Sequence, residues 1–444
     1  MVNLETIFFP PISDNLVRVV IIVMVAFLLI DSMINNVADF LHPETTSKWG
    51  ISFFIILVIV FAISQQILLR YVLGKTKDIR SKSFLIRSLL KVVIALQYTL
   101  VGILIIIILQ ILFTSKYNTT LLIWSTTISL LLAISLVGIL ARQFNIWYRS
   151  TKRDSFIIAC YTLAFVIVSL TLSLGLLLDL YNLSSKPGIV TPNSEVSFPN
   201  YDDAGPLLLV LHYIYNYTDL VSFVLIWAAT ALLLLHYRRR LGLVKFWIIL
   251  ALPLIYYLGT FVDILGIYKP QSDSESFYYY LYLSLNSTAG GIMFGIAFLV
   301  ISRRIDNQRI KGYMTLASYG FILLYISGQV SLVACPYPPF GIATLDISGL
   351  SSFLLLTGLY STAISLSRHA ELRKAIRNSI ESQHSKLIDN IGMSEVQRDI
   401  EKRVSPLVHR YAAQINSQST LDLTLSEKEV KQYIDEVLED LYRK

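Results

Sequence analysis

Ten stretches of the chain consist mainly of apolar residues and are long enough to cross a membrane as α-helices. A spanning helix needs about 20 apolar residues, because the hydrocarbon core is about 30 Å thick. The ten stretches cover residues 16–40, 51–73, 84–113, 121–147, 155–181, 207–236, 244–268, 277–302, 312–334 and 347–367. The pattern therefore predicts an all-α polytopic bundle of about ten transmembrane helices.

Composition agrees with a membrane protein and excludes an ordinary soluble domain. The 444 residues are 55% hydrophobic and 15% charged, whereas soluble domains carry about 25% charged residues. The first stretch is too long for the apolar core of a signal peptide, so we expect it to remain as a span. We expect a multi-pass protein of the cell membrane, with the lipid bilayer as its main partner and no nucleic acid.

Lys and Arg collect in alternate loops, and this distribution predicts the orientation. With the N-terminus in the cytoplasm, the inner loops contain the basic runs within residues 70–91, 142–153, 238–245 and 303–311. The outer loops contain only Lys48, Lys116, Lys186 and Lys269. Because cytoplasmic loops are enriched in Lys and Arg, both termini are expected on the cytoplasmic side.

The chain divides into a membrane domain, residues 1–367, and a cytoplasmic tail, residues 368–444. Neither Gly nor Pro occurs between the last apolar stretch and Ile391, so we expect the last span to continue into the cytoplasm as one helix. The first tail residues, 368–386, carry more basic than acidic side chains. This excess is typical of a segment that runs along anionic headgroups.

The chain ends in TLSEKEVKQYIDEVLEDLYRK, which predicts an amphipathic helix. Ser426 and Glu429 have the spacing of a capping box at its start. Its apolar stripe provides the candidate partner-binding residues Val430, Tyr433, Ile434, Val437, Leu438 and Leu441. The stripe favours a cytoplasmic protein partner or self-association, with a helical hairpin packed on itself as the alternative.

Seven polar residues in or beside the predicted spans are candidate ligand-binding residues. They are Asp31, Asn35, His212, Asn216, Asp219, Asp263 and Asn286. On the predicted topology they all lie toward the outer side. Polar and ionisable groups within a membrane normally face the bundle interior or a water-filled cavity, so they indicate function.

Helical spacing places these polar residues in two groups that each share a face. One trio is Asp31, Asn35 and Asp39, and the other is His212, Asn216 and Asp219. Acids without accompanying Lys or Arg favour a cation, an amine or a proton as ligand. The alternative is structural: acids at helix ends are reached by water, and amides bond neighbouring helices.

The predicted eighth span contains small residues at a spacing of four and is preceded by tyrosines. Ser287, Gly291 and Gly295 predict close packing against another helix. The tyrosines indicate an aromatic belt at the membrane interface, with an aromatic cage around a cationic ligand as the alternative. These tyrosines are Tyr278, Tyr279, Tyr280 and Tyr282.

The sequence contains no recognisable catalytic or metal-binding motif. HExxH, Walker and GxSxG sequences are absent, and two cysteines are too few for a thiolate metal site. His369, in RHAELRK, is similar to the phosphoacceptor His of sensor kinases, but the match departs by an inserted Ala. No ATP-binding domain follows it, so a solvated helix His is preferred. We therefore expect a non-enzymatic protein without a cofactor.

Residues 335–391 also carry a resemblance to a family. The sequence PYPPFGIATLDISGLSSFLLLTGLYSTAISLSRHAELRKAIRNS resembles the last span and exit helix of multispan, sensor-like membrane proteins of ammonia-oxidising archaea. The resemblance implies an archaeal cytoplasmic membrane and a sensory role. It implies no ligand and no catalytic residue.

These observations predict a sensory or signalling subunit that couples an outward-facing polar site to the cytoplasmic tail. The second hypothesis is a secondary transporter of a small cation, an amine or a proton-coupled solute, in which Asp219 and His212 carry the charge. An integral membrane enzyme is a third hypothesis, because polytopic transferases can act through a single Asp or His.

Overall fold

The computed structural model describes residues 13–77, 83–150, 156–194, 196, 205–235, 238, 242–259, 272–303, 305, 307–328, 330, 332–368, 391–392, 394–396 and 398. The candidate ligand residue Asp263 lies outside the described residues. The six candidate partner-binding residues of the final helix and its capping box also lie outside them.

The described chain is almost entirely helical. Its helices are α1 (Asp14–Asn36), α2 (His42–Thr45), α3 (Lys48–Lys75), α4 (Phe84–Thr114), α5 (Thr119–Ser150), α6 (Phe156–Ser184), α7 (Pro206–Leu234), α8 (Leu243–Leu258), α9 (Asp273–Leu283), α10 (Asn286–Ser302), α11 (Gln308–Ser327) and α12 (Ile342–Arg368). A short 3₁₀ turn, Leu332–Ala334, follows α11. Strands β1 (Tyr117–Asn118) and β2 (Ile189–Val190) pair antiparallel, with Tyr117 opposite Val190.

Nine helical segments of the described chain are long and apolar enough to cross a membrane. They are α1, α3, α4, α5, α6, α7, the combined segment Ser274–Ser302, the segment Gln308–Ala334, and Ile342–Ser365 in α12. The prediction of an all-α membrane bundle is confirmed. The predicted seventh span corresponds to α8, an apolar helix of 16 residues, and most of the remainder of that stretch lies outside the described residues.

Polar N-cap residues mark where several of the spanning helices begin. The side chains of Ser13, Ser47 and Ser83 each accept a hydrogen bond from a backbone N–H in the first turn of α1, α3 and α4. Asn307 does the same for α11. Such caps satisfy N–H groups that have no partner within the helix, so each helix begins at the edge of its apolar run.

The first helix is shorter than its apolar stretch predicts. It ends at Asn36, and the following Val37 leaves the helical region, with φ −112° and ψ 17°. Asp39 therefore lies in an exposed turn beyond α1. The prediction that Asp39 extends the face of Asp31 and Asn35 is wrong, because the helical repeat stops before it.

Helix α12 lies at the centre of the bundle. Every residue from Ile342 to Leu359 is buried, and the helix packs against α11, α5, α4, α1 and α3. It nevertheless carries many polar side chains within this buried run, among them Thr344, Asp346, Ser348 and Ser351. Neighbouring helices must satisfy these groups, because neither lipid nor bulk water reaches them.

The outer helices expose apolar stripes away from this centre. On α3 the exposed residues Ile56, Ile59 and Ile63 recur at helical spacing, while Phe54, Leu57 and Phe61 of the same helix are buried. A soluble protein rarely exposes contiguous apolar surface of this kind. The stripes are the surface that lipid chains would cover.

Glycines allow α10, α11 and α12 to approach each other closely. A Cβ added to Gly295 would lie 2.4 Å from Ile322 Cγ1, and one added to Gly291 would lie 2.4 Å from Tyr325 Cβ. The Ser318 hydroxyl also donates to the Gly295 carbonyl at 2.6 Å. The predicted packing role of these two glycines is therefore confirmed.

A Pro-rich turn before α12 closes one end of the bundle together with the β1–β2 ribbon. The buried Tyr117 donates its hydroxyl hydrogen to the Pro336 carbonyl at 2.8 Å and stacks on Tyr337. Cys335 in the same turn is buried and free. Burial raises the pKa of its thiol to about 11, so the thiol is neutral at physiological pH.

Candidate functional site

A cavity of about 370 Å³ lies among the helices, near the same end as the Pro-rich turn. Its lining comes from the C-terminal parts of α1, α6, α8, α9 and α11 and from the N-terminal parts of α5, α7, α10 and α12. Because successive spans run in opposite directions, these parts meet at one end of the bundle. The volume falls in the range of small-molecule sites.

The polar lining of the cavity combines acids, amides and tyrosines, and none of its described residues is Lys or Arg. The acids are Asp179 and Asp219, and the amides are Asn36, Asn216 and Asn286. The tyrosines are Tyr215, Tyr257, Tyr280 and Tyr325. Carboxylates attract a cation through charge, and aromatic faces attract it through their quadrupole.

Asp219 is held in place by residues of its own helix and of α8. Its carboxylate accepts a short hydrogen bond from the Tyr257 hydroxyl. The Tyr257 ring stacks on Phe223, with ring centroids 3.8 Å apart and planes at 3°. The carboxylate is thus anchored through one oxygen by a rigidly packed ring.

His212 stands beside the cavity, although it is not part of the wall. Its Nε2 lies 3.0 Å from Asn216 Nδ2, and Asn216 lines the cavity one helical turn further along α7. Within the predicted trio, His212 is therefore hydrogen-bonded to Asn216, and Asn216 and Asp219 both line the cavity.

Among the polar residues of α1, Asn36 faces the cavity, whereas Asp31 faces the start of α12. Asn36 lines the cavity, and its side-chain oxygen accepts a hydrogen bond from Asn35 Nδ2 at 3.1 Å. Asn35 itself is fully buried behind it. Asp31 lies deeper and is bound by the start of α12, so it is not part of the cavity wall.

Asp31 of α1 caps the N-terminus of α12. Its carboxylate accepts hydrogen bonds from the backbone N–H of Gly341 at 2.8 Å and of Thr344 at 3.0 Å. The Thr344 hydroxyl donates to it at 2.8 Å. Gly341 has φ +92°, a conformation that L side chains rarely adopt. The positive end of α12 thus stabilises the buried carboxylate.

Asn286 and Tyr280, from consecutive helices, both line the cavity. Tyr278, in contrast, is 68% exposed and lies on the outside of α9. One of the four tyrosines in this segment therefore belongs to the cavity, while another has the exposure expected for an interfacial residue.

Sequence reasoning missed a further buried acid, Asp346. It is completely buried in α12 and accepts a hydrogen bond from Ser125 at 2.5 Å. The predicted last span begins one residue later, at 347, so Asp346 was not counted among the acids within spans. An acid between Leu345 and Ile347 in an apolar stretch was the signal that should have included it.

The opposite end of the bundle contacts a part of the tail. Glu395 accepts hydrogen bonds from Trp147 Nε1 at 3.2 Å and from Gln143 Nε2 at 3.4 Å, both on α5. Arg398 lies 3.4 Å from Glu395, and Ser394 donates to the Trp147 carbonyl at 3.1 Å. Ser394, Glu395 and Arg398 of the tail thus contact the end of α5 that lies away from the cavity.

Within the described ranges, no group of three or more His, Cys, Asp or Glu residues is arranged to bind a metal ion. Searches of protein-family models, curated proteins and solved structures return no match for the chain. The geometry of the cavity and its position in the bundle are therefore the features that bear on function.

Proposed function

We propose that the protein is a non-enzymatic receptor of the cell membrane that binds a small cationic amine in its outer cavity. The observation that carries the proposal is the cavity itself, with two carboxylates, four tyrosines and no described cationic side chain in its wall. In this proposal the bundle has ten spans, both termini are cytoplasmic, and the cavity opens outward.

The proposal also gives α12 the role of a connector to the tail. Leu345 at its start lines the cavity, and the helix runs through the centre of the bundle to Arg368. The tail residues that follow contact α5 at Trp147. A ligand that fits one position of α12 better than another would shift the tail toward a matching state. The likeness to sensor-like archaeal proteins supports the same proposal.

Binding is tested with full-length protein in lipid nanodiscs. Butylamine and choline are compared with butyrate, and binding is followed by the intrinsic fluorescence of the tyrosines and tryptophans. We expect the amines to bind and butyrate not to bind. Asp219→Asn should weaken amine binding by about 30-fold, since loss of one member of a desolvated charge pair costs at least about 2 kcal/mol.

Asp39→Asn is the matched control, because Asp39 is exposed and lies outside the cavity. It should retain the wild-type affinity. Equal affinity for butyrate and butylamine, or an unchanged affinity in Asp219→Asn, would contradict the proposed site.

Coupling to the tail is tested by hydrogen exchange of residues 391–398 with and without butylamine. A receptor predicts that the amine changes exchange in this segment and that Asp219→Asn abolishes the change. The alternative, a secondary transporter, is favoured by the completely buried acid Asp346, which follows the cavity-lining Leu345 in α12. Uptake of labelled amine into sealed vesicles, with no change in tail exchange, would establish the transporter instead.

A further inference from the structure

Four helices converge on a buried polar cluster that is distinct from the cavity. The cluster, named here the Asp346 cluster, contains Gln65 of α3, Gln97 of α4, Ser125 and Ser129 of α5, and Asp346 and Ser348 of α12. Each of these residues is at most 2% exposed, and all but Ser348 are completely buried. None of them lines the cavity.

Hydrogen bonds connect the members of the Asp346 cluster. Ser125 donates to Asp346 Oδ1 at 2.5 Å, and Gln97 Nε2 donates to the Asp346 carbonyl at 3.3 Å. Gln65 Nε2 donates to Gln97 Oε1 at 2.5 Å. Ser129 contacts both the Leu345 carbonyl and the Ser348 hydroxyl at 2.9 Å. The network thus joins α3, α4, α5 and α12.

The cluster contains more acceptors than donors. Asp346 Oδ2 and Gln65 Oε1 are buried and accept no hydrogen bond from any described residue. The interactions of the Asp346 carboxylate with described residues involve Ser125 and Asp31, so no described Lys, Arg or His pairs with it. A buried carboxylate without a compensating charge is costly.

Asp31 is also an acid, so it cannot balance the charge of Asp346, and its own carboxylate is stabilised by hydrogen bonds. It lies close enough to Asp346 to interact as a second negative charge. Its two oxygens already accept the N–H and O–H groups at the start of α12. The carboxylate without a compensating charge is therefore that of Asp346, and the oxygens without a donor are Asp346 Oδ2 and the Oε1 of Gln65, which Gln97 links to the Asp346 backbone.

We infer that the Asp346 cluster binds one alkali-metal cation, with the Asp346 carboxylate and the Gln65 amide oxygen among its ligands. Carboxylate and carbonyl oxygens are the ligands that hard cations prefer. One carboxylate balances one positive charge, whereas a divalent ion would leave an excess charge buried in the bundle. The cation would neutralise Asp346 and hold α12 against α3, α4 and α5.

The cavity and the Asp346 cluster draw on consecutive residues of the same helices. Leu130 of α5 and Leu345 of α12 line the cavity, and their sequence neighbours Ser129 and Asp346 belong to the cluster. The two sites are independent in their ligands, so the cation site does not depend on the proposed amine receptor.

The test measures the thermal unfolding midpoint of the full-length protein in nanodiscs. Sodium chloride or potassium chloride is titrated against N-methylglucamine chloride at constant ionic strength. A ligand that binds only the folded state stabilises it in a saturable manner. We expect a saturable rise in the midpoint for at least one of the two metal ions, and the stronger response identifies the ion.

Three variants test whether the effect of the cation on the unfolding midpoint arises at the Asp346 cluster. Asp346→Asn preserves the shape of the side chain and removes the charge, so its midpoint should no longer depend on which cation is present. Ser125→Ala removes the hydroxyl that orients the carboxylate and should weaken cation binding about tenfold. Thr362→Ala is the matched control on the same helix, because its hydroxyl bonds only the Gly358 carbonyl at 2.8 Å.

Two results would overturn the inference. One is a wild-type midpoint that is the same in sodium, potassium and N-methylglucamine, as expected for a carboxyl group that is simply protonated. The other is a cation response that persists in Asp346→Asn, since the ion would then bind elsewhere. If Asp346→Asn does not fold, an unchanged cation affinity in Ser125→Ala contradicts the site on its own.

Discussion

Asp31 and Asp346 are two completely buried carboxylates on either side of the start of α12, and the protein stabilises them differently. Asp31 receives hydrogen bonds from two backbone N–H groups and one hydroxyl. Asp346 receives one side-chain hydrogen bond, from Ser125. The same residue type therefore serves as a helix cap in one position and as a candidate cation ligand in the other.

Replacement of Asp31 by Ala should destabilise the protein by about 2–6 kcal/mol. The change leaves the N–H groups of Gly341 and Thr344 buried without their acceptor, and each such loss costs about 1–3 kcal/mol. Thermal unfolding in nanodiscs measures the effect. Asp39→Ala is the control, because exposed positions usually change stability by less than about 0.5 kcal/mol. Similar unfolding midpoints for the two variants would exclude the capping role.

At the level of elements, the central helix is held by close contacts of α11 with α12. A Cβ added to Gly320 would lie 2.5 Å from the backbone nitrogen of Leu355, and one added to Gly358 would lie 2.5 Å from that of Ala317. Backbone atoms cannot move aside as the end of a flexible side chain can. These two glycines set the distance between the helices and so position Leu345 and Asp346.

Gly320→Ala should therefore destabilise the bundle, whereas Gly102→Ala should not. The extra methyl group at Gly320 forces α11 away from α12, and overpacking of this kind costs about 1–3 kcal/mol. Gly102 of α4 has no atom within 4 Å of an added Cβ, so Ala there should stabilise the helix by about 0.5–1 kcal/mol. Unfolding midpoints that shift in the same direction for both variants would disprove this account of the packing.

At the scale of the whole molecule, the bundle has a cavity at one end and a tail contact at the other. Asn36, Asp179 and Tyr257 belong to the cavity end, and Trp147, bound by Glu395 and Ser394, belongs to the tail end. The distribution of Lys and Arg predicts that the cavity end is outside. This orientation decides which compartment supplies the ligand.

Introduced cysteines test the orientation. Lys116 and Arg238 are exposed, and the sequence predicts that they lie on opposite sides of the membrane. Lys116→Cys should react with a membrane-impermeant maleimide in intact cells, and Arg238→Cys only after the cells are permeabilised. The native Cys160 and Cys335 are buried, so they should contribute little background. The reverse labelling pattern would place the cavity in the cytoplasm and contradict the proposed receptor.

Apolar runs and side-chain types were enough to predict that this protein is a helical membrane bundle and which of its spans carry polar groups. Those features follow from runs of apolar residues and from side-chain type, which are local properties. Asn216, Asp219 and Asn286 were identified in this way, and all three line the cavity.

Which of those polar groups contact each other could not be predicted, because it depends on how the helices pack. Asp31 bonds Gly341 across 310 residues of sequence, and Tyr257 reaches Asp219 from a different helix. Tyr215 and Tyr325 have no local pattern that marks them as parts of a site. Their roles depend on the rotation and spacing of helices distant in the chain, which packing at residues such as Gly320 and Gly358 determines.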